Sequence, residues 1–261
     1  MLEQLKKIAL QAGELLLSAK GEKGVTEKTG ARDLVTKYDK LVEAFLQEKL
    51  LKLLPEAGFM GEESMHAENW ADYEWLFIVD PIDDTTNFVQ GFPNSCVSIG
   101  LLHNGKMEYG VICNPWQDEL YWAQRGRGAY RNAEQIHCSD RDLSHSLLIF
   151  GSALYYPEEQ KRTLAVFNAA YPLVQDVRRF GSAALDLCYI AAGRAGVFFE
   201  ARLCPWDYAA GSLIAEEAGA AVSSMEGGDL DLYHKCSVLV GSPKAHGAML
   251  ALIEKETEEK P

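Results

Sequence analysis

WLFIVDPIDDTT, residues 75 to 86, decides how this chain folds, because an apolar run stops there at a group of acids. Trp75 to Val79 is short and continuously apolar, which predicts a buried strand ending at Asp80 and Pro81. Such a strand delivers its last residues to a sheet edge or a cleft. The acids that follow would then lie together, although aspartates and threonines before a helix also serve as turn residues and caps.

Composition excludes several kinds of partner. The chain has 261 residues, 48% hydrophobic and 10% aromatic, enough for a sizeable core in one large domain or two closely packed ones. Its net charge of −13 disfavours nucleic acid and anionic membranes unless a local patch reverses the sign. If a small phosphate ester is the substrate, bound divalent cations can supply the attractive charge.

Cysteine usage and the N-terminus indicate the compartment. The six cysteines are dispersed without a CxxC pair, which favours buried free thiols over disulfides or zinc ligands. Residues 1 to 10 mix charges into their apolar pattern and lack the continuous apolar core of a signal peptide. No uninterrupted apolar run approaches the ~20 residues that span a bilayer. We therefore expect a cytoplasmic protein.

Helical and strand patterns alternate along the chain, which predicts mixed layers of helices and sheets. Apolar spacing predicts helices over residues 2 to 20 and 42 to 53, and the polar link Gly21 to Asp33 between them is expected to be an ordered or mobile loop. Ser95 to Ile136 is typical of an antiparallel meander. Later predicted elements are a helix after Pro157, a strand near Leu173 to Arg178, a helix from Ser182 to Ala192, a strand from Ala195 to Glu200, a helix from Trp206 to Ala218, a strand from Ser237 to Val240 and a helix from Pro243 to about Glu254.

Acidic clusters lie at three predicted junctions between elements. They are Gly61-Glu62-Glu63-Ser64, Asp80-Pro81-Ile82-Asp83-Asp84-Thr85 and Trp206-Asp207. Mg²⁺ is a hard cation that takes oxygen ligands, so these carboxylates could converge on one ion or bridge two. In the metal-free protein some of them should bind protons more tightly than usual.

Five segments resemble the signature motifs of the inositol monophosphatase family, in the family's order and spacing. They are Asp33-Leu-Val-Thr36, Gly61-Glu-Glu-Ser64, Asp80-Pro-Ile-Asp-x-Thr-Thr-Asn-Phe88, Gly181-Ser-Ala-Ala184 and Trp206-Asp-x-Ala-Ala-Gly211. The resemblance implies an α+β fold, the layered α/β/α/β/α sandwich of the sugar phosphatases. It implies a single unit over 1–261, in which residues 1–140 carry most metal ligands and residues 141–261 carry Asp207. It also implies two or three Mg²⁺ ions, a homodimer and inhibition by lithium.

The resemblance further implies roles for single residues. The implied metal ligands are Glu62, Asp80, the carbonyl of Ile82, Asp83 and Asp207. Glu62 and Thr85 match the pair that orients the attacking water, with Asp39 as an outer acid beside the threonine. The N–H groups of Asp84 and Thr85 match the phosphate donors, and the alcohol contacts match Gly181, Ser182, Ala183 and Glu200.

Several of these residues allow a second interpretation. Lys28, on the family's mobile loop, and Asp33 are equally consistent with solvated loop charges. Glu200 could be a plain surface acid, although its spacing from Asp207 fits the family. Glu63 would act as a ligand only through water.

Asp84 departs from the family, which usually has glycine at this position. Glycine would let the backbone approach a phosphate closely, whereas a carboxylate adds negative charge beside it. Three hypotheses follow: a weakened or inactive enzyme, an active enzyme whose Asp84 side chain points to solvent or helps to bind metal, or a noncatalytic member kept for partner binding.

The function implied by the resemblance is Mg²⁺-dependent hydrolysis of a small phosphate monoester by direct attack of water. The preferred substrate is myo-inositol 1-phosphate, and family members also act on fructose 1,6-bisphosphate, nicotinamide dinucleotide phosphate, histidinol phosphate and 3′-phosphoadenosine phosphates. A noncatalytic protein-binding role is the rival, since some bacterial relatives are implicated in transcription complexes.

Overall fold

The computed structural model describes residues 1–19, 23–30, 33–64, 69–154 and 156–258, without the side chains of 28–30, 33, 257 and 258. The helices are α1 (Leu2–Leu17), α2 (Lys37–Leu53), α3 (Thr85–Gln90), α4 (Pro157–Ala170), α5 (Ala183–Ala191), α6 (Pro205–Glu217) and α7 (Pro243–Glu258). The strands are β1 (Thr26–Gly30), β2 (Asp33–Val35), β3 (Gly58–Gly61), β4 (Trp75–Asp83), β5 (Cys96–His103), β6 (Lys106–Asn114), β7 (Glu119–Gln124), β8 (Ala129–Arg131), β9 (Glu134–Ile136), β10 (Leu147–Phe150), β11 (Asp176–Arg178), β12 (Val197–Leu203), β13 (Ala221–Ser223) and β14 (Cys236–Gly241).

A seven-stranded sheet contains the segment that decides the fold. Its order is β3-β4-β5-β6-β7-β8-β9, with β3 parallel to β4 and the other pairs antiparallel. The predicted strand from Trp75 and the meander to Ile136 are both confirmed. Strand β4 continues beyond Val79 to Asp83, with an irregularity in its pairing to β5 between Asp80 and Asp83. That irregularity re-aims the last acids of the strand.

A second, five-stranded sheet has the order β11-β10-β12-β14-β13. Strand β10 runs parallel to β11 and β12, whereas β14 pairs antiparallel with β12 and β13. The structure extends β12 to Leu203 instead of Glu200, so the strand runs almost to the start of α6. Glu200 and Asp207 therefore belong to consecutive elements.

Helices cover both sheets, and the layers follow the order α/β/α/β/α, which confirms the predicted fold. Helices α1 and α2 pack on one face of the seven-stranded sheet, and α4 and α7 pack on the outer face of the five-stranded sheet. Helices α5 and α6 contact both sheets and lie between them. Every residue of α5 is buried, as a central layer requires.

Two predicted elements differ from the structure. The link Gly21 to Asp33 is expected from its sequence to be a loop, but its described residues form the antiparallel pair β1 and β2. The strand predicted near Leu173 to Arg178 starts at Asp176, because Tyr171–Leu173 forms a 3₁₀ turn containing Pro172, which has no backbone N–H to donate to a strand ladder.

The six cysteines are free thiols, three of them buried, as their dispersed spacing predicts. Among the described residues, the helices are too short or too polar for any of them to cross a bilayer.

Candidate active site

Three acids from two elements converge. Asp80 and Asp83 come from the irregular end of β4, and Asp207 comes from the first turn of α6. One carboxylate oxygen of each lies within 4.8 Å of the others. Asp80 and Asp83 are only 2% and 6% exposed. Acids this buried are rarely left without a partner or a cation.

Backbone and hydroxyl donors hold each of these acids in place. The N–H of Ile82 donates to Oδ1 of Asp80 at 2.9 Å. Oδ2 of Asp83 accepts from the Ser182 hydroxyl at 2.6 Å and from the N–H of Ala184 at 2.7 Å. The N–H of Cys204 donates to Asp207 at 2.7 Å, which also caps α6. Every acid keeps a second oxygen for another ligand.

The proton affinity of the acids is high. Burial raises the pKa of Asp83 to about 7, against the lowering effect of its hydrogen bonds. Burial and neighbouring negative charges raise the pKa of Asp80 and Asp207 well above the ordinary value. The predicted increase in proton affinity is confirmed, and three hard oxygen donors in one place suit a divalent cation such as Mg²⁺.

Glu62 follows the end of β3, next to β4. Its N–H donates to the carbonyl of Val79 at 3.3 Å, which ties it to the strand that carries Asp80. Its negative charge raises the pKa of Asp80, so the two acids are close. Glu63 is anchored instead through its N–H to the carboxylate of Glu43 at 2.8 Å.

Thr85 and Asp39 form a hydrogen-bonded pair at the start of α3. The Thr85 hydroxyl donates to Oδ1 of Asp39 at 2.9 Å and lies 3.3 Å from the carbonyl of Ile82. Asp39 is fully buried, and its other oxygen accepts from the N–H and the hydroxyl of Thr36, both at 2.6 Å. Because the threonine proton is directed to Asp39, the threonine oxygen can accept a hydrogen bond from a water molecule.

Asp84 does not point to solvent. Its backbone is left-handed, with φ 67° and ψ 70°, the conformation that glycine adopts without strain. Oδ1 caps α3 by accepting from the N–H of Asn87 at 2.9 Å. Oδ2 is buried, without a hydrogen-bond partner, against Gly181. Burial raises the pKa of Asp84, while Asn87 and the charge of Arg179 lower it.

Asp84 is also absent from the converging acids within the described residues of the chain. The structure therefore matches neither arrangement expected for an active Asp84 enzyme, solvent exposure or metal binding. The side chain is a helix cap wedged beside the site.

The residues expected on the alcohol side separate into two groups. Gly181, Ala183 and Glu200 line the cavity in front of the acids. Ser182 does not, because it is fully buried, and its hydroxyl donates to Asp83 and accepts from the N–H of Leu185 at 3.2 Å. It supports a predicted ligand instead of facing an alcohol.

Glu200 is a half-buried acid in the cavity wall. Its Oε1 accepts from the N–H of Ala153 at 3.1 Å. Burial raises its pKa to about 7, against this hydrogen bond and the charge of Arg179. A plain surface acid would have neither property.

The cavity has a volume of about 570 Å³, and its lining includes one tyrosine and three basic residues that the sequence motifs did not reveal. These residues are Tyr156, Arg179, Arg202 and Lys235. Arg179 lies two residues before the Gly181 motif, and Arg202 lies two residues after Glu200. Their closeness in sequence to these segments is the one feature that could have predicted their place in the cavity. The side chains of Lys28 and Asp33 lie outside the described residues.

Fold and site together define a layered α/β protein with a carboxylate cluster that could hold a divalent cation. A model of the inositol monophosphatase family matches residues 1–258. The chain belongs to this family, whose members are generally Mg²⁺-dependent.

Its relatives carry two kinds of name. The chain is 39% identical to Nus factor SuhB of Vibrio cholerae over 90% of this chain and 87% of that protein. The solved structure of extragenic suppressor protein suhB from Bartonella henselae is 36% identical, with a TM-score of 0.90 over 97% of this chain and 98% of that one. The inositol monophosphatase from Anabaena is 35% identical, with a TM-score of 0.86 over 97% and 95%.

Proposed function

We propose that the chain hydrolyses a small phosphate monoester with the help of bound Mg²⁺. One observation carries the proposal: two buried acids, Asp80 and Asp83, and the half-buried Asp207 converge beside the Thr85–Asp39 pair. Bound Mg²⁺ would supply the positive charge that attracts the phosphate, stabilises the leaving oxygen and makes water a better nucleophile.

Each protein residue then has a defined task. Asp80, Asp83 and Asp207 would hold the cation, with Glu62 and the carbonyl of Ile82 as the further proposed ligands. Thr85 would accept a hydrogen bond from the attacking water and orient it, because its own proton is directed to Asp39. The rigid hydrogen bonds from Thr36 keep Asp39 from turning away.

On the substrate side, the phosphate would lie against the N–H groups of Asp84 and Thr85. Gly181, Ala183 and Glu200 would contact the alcohol. The family relationship makes myo-inositol 1-phosphate the reference substrate, and a homodimer and lithium inhibition belong to the same proposal. Light scattering and a lithium titration would test these two points.

Asp84 determines how active such an enzyme would be. Its carboxylate accepts from the N–H of Asn87 and lies against Gly181, and it adds negative charge near the proposed phosphate position. We therefore propose an enzyme that is active but slowed.

Phosphate release from a panel of esters, with Mg²⁺ and with chelator, tests the proposal. We expect Mg²⁺-dependent release that increases in Asp84→Gly, because the nearby charge is removed. Absence of release from every ester by both proteins would refute it.

A second candidate is a protein-binding role, favoured by relatives named Nus factors. The net charge of −13 suits a basic protein partner better than RNA. Capture of one specific partner, combined with no phosphate release even by Asp84→Gly, would favour this role over hydrolysis.

A further inference from the structure

One side of the cavity wall is positively charged, although the chain as a whole is strongly acidic. We call Tyr156, Arg202 and Lys235, all of which line the cavity, the cationic wall. Arg202 lies near the end of β12, and Lys235 directly precedes β14, whose Cys236 pairs with Leu203. Strand pairing therefore brings the two cations to the same place from distant positions in the sequence.

One aromatic ring holds both cations. The guanidinium carbon of Arg202 is 4.7 Å from the centre of the Tyr156 ring, and Nζ of Lys235 is 5.0 Å from it. Both distances are typical of a cation over an aromatic face. Two like charges on one ring repel each other, so the arrangement favours an anion between or beside them.

The charges of the wall are only partly balanced by the protein. Arg202 is paired with Glu158 at 2.9 Å and lies 3.8 Å from Glu159. Lys235 takes part in none of the ion pairs found among the described residues. The hydroxyl of Tyr156 raises the pKa of Lys235, so the ammonium group stays charged at neutral pH. Lys235 is therefore the cation of the wall that has no carboxylate partner among these ion pairs.

The wall lies within reach of a ligand held by the acids. Arg202 is two residues beyond Glu200 on β12, about 7 Å along the strand. Cys204 lies close to both regions. The charge of Asp207 raises the pKa of the Cys204 thiol, and the charge of Lys235 lowers the pKa of the same thiol. If the phosphate of an ester lies at the acids and the middle of its alcohol portion contacts Glu200, the far end of the alcohol portion reaches the cationic wall.

We propose that the cationic wall binds a second anionic group, a phosphate or a carboxylate, carried on the alcohol portion of the substrate. This inference rests on the proposed hydrolysis and narrows its substrate class from neutral polyol esters to esters with two anionic groups. A neutral alcohol would leave Lys235 without an anionic partner.

Three six-carbon ligands of matched length test the proposal: glucitol 6-phosphate, 6-phosphogluconate and glucitol 1,6-bisphosphate. They differ only in whether the far end is neutral, a carboxylate or a phosphate. Hydrolysis by the wild type is compared with Lys235→Gln and Arg202→Gln, and with Lys244→Gln, an exposed lysine on α7, as the matched control. Melting temperatures check that each variant is folded.

We expect the wild type to prefer the two doubly charged esters. Lys235→Gln should lower their kcat/KM about tenfold, the effect of one charge-assisted hydrogen bond, and change that of glucitol 6-phosphate less than about twofold. The ester that loses more identifies phosphate or carboxylate as the preferred group. Equal losses for all three esters, or no loss in a folded variant, would overturn the proposal.

Failure of the proposed hydrolysis gives a different result. If the wild type cleaves none of the esters, calorimetry with the same three ligands in Mg²⁺ buffer replaces the kinetics. Tighter binding of the doubly charged ligands that disappears in Lys235→Gln supports the cationic wall. Equal binding of all three ligands overturns it.

Discussion

Replacing Asp83 by asparagine should stabilise the metal-free protein and remove its response to Mg²⁺. Burial raises the pKa of Asp83 from 3.8 to about 7, so at about pH 8 its ionised form costs on the order of 4 kcal/mol of folding free energy. The asparagine oxygen can still accept from Ser182 and from the N–H of Ala184. Since a buried amide also costs some free energy, we expect a net gain of about 2 to 4 kcal/mol.

The sign of this effect depends on pH. A carboxyl group whose folded pKa is raised binds more protons in the folded than in the unfolded state between the two pKa values. In the metal-free protein, its contribution to stability therefore falls as the pH rises from about 4 through about 7. The difference between wild type and Asp83→Asn should accordingly be large at about pH 8 and small at about pH 4.

Urea denaturation at both pH values, with chelator and with saturating Mg²⁺, measures the effect. The wild type should gain stability from Mg²⁺, and Asp83→Asn should not. Asp140→Asn, at an exposed position, is the matched control and should behave like the wild type. The reasoning is refuted if Asp83→Asn is less stable than the wild type in chelator at the higher pH, or if Mg²⁺ stabilises both equally.

Three further predictions concern the same site. The affinity for Mg²⁺, measured by calorimetry, should weaken as the pH falls below about 7, because protons compete with the cation for acids of raised pKa. An affinity that does not change with pH would contradict this prediction. Thr85→Val should lower kcat at least about 100-fold and leave Mg²⁺ binding unchanged, because valine lacks the hydroxyl that donates to Asp39 and orients the water. An unaltered kcat would exclude Thr85 from the reaction. Gly181→Ala should cost about 1 to 3 kcal/mol in urea denaturation, because its Cβ would overlap the Asp84 carboxylate at a φ of 109°. Some of that loss should be recovered in Asp84→Gly, and an identical loss in both backgrounds would show that the overlap is not its cause.

The order of layers could be predicted because it depends on local periodicity and on motif spacing. Trp75 to Val79 is apolar enough to identify a buried strand, and Ser95 to Ile136 alternates and turns often enough to identify a meander. The pairing of β1 with β2 escaped prediction because β1 has the polar sequence TEKTG, and polar strands resemble loops in sequence.

Other features of the site depend on contacts between residues that are far apart in the chain, and a single sequence does not reveal such contacts. Ser182 belongs to a recognisable motif, yet only the structure shows that its hydroxyl supports Asp83. The wedge of Asp84 against Gly181 joins residues almost a hundred positions apart. The meeting of Arg202 and Lys235 on Tyr156 depends on the pairing of β12 with β14.

Phosphate release from myo-inositol 1-phosphate over a Mg²⁺ titration tests the central proposal most directly, with Asp207→Asn and the exposed control Asp140→Asn measured alongside. We predict release that saturates with Mg²⁺, stops in chelator, falls at least about 100-fold in Asp207→Asn and is unchanged in the control. Release that is independent of Mg²⁺, or equal in Asp207→Asn and the wild type, would contradict the proposed site.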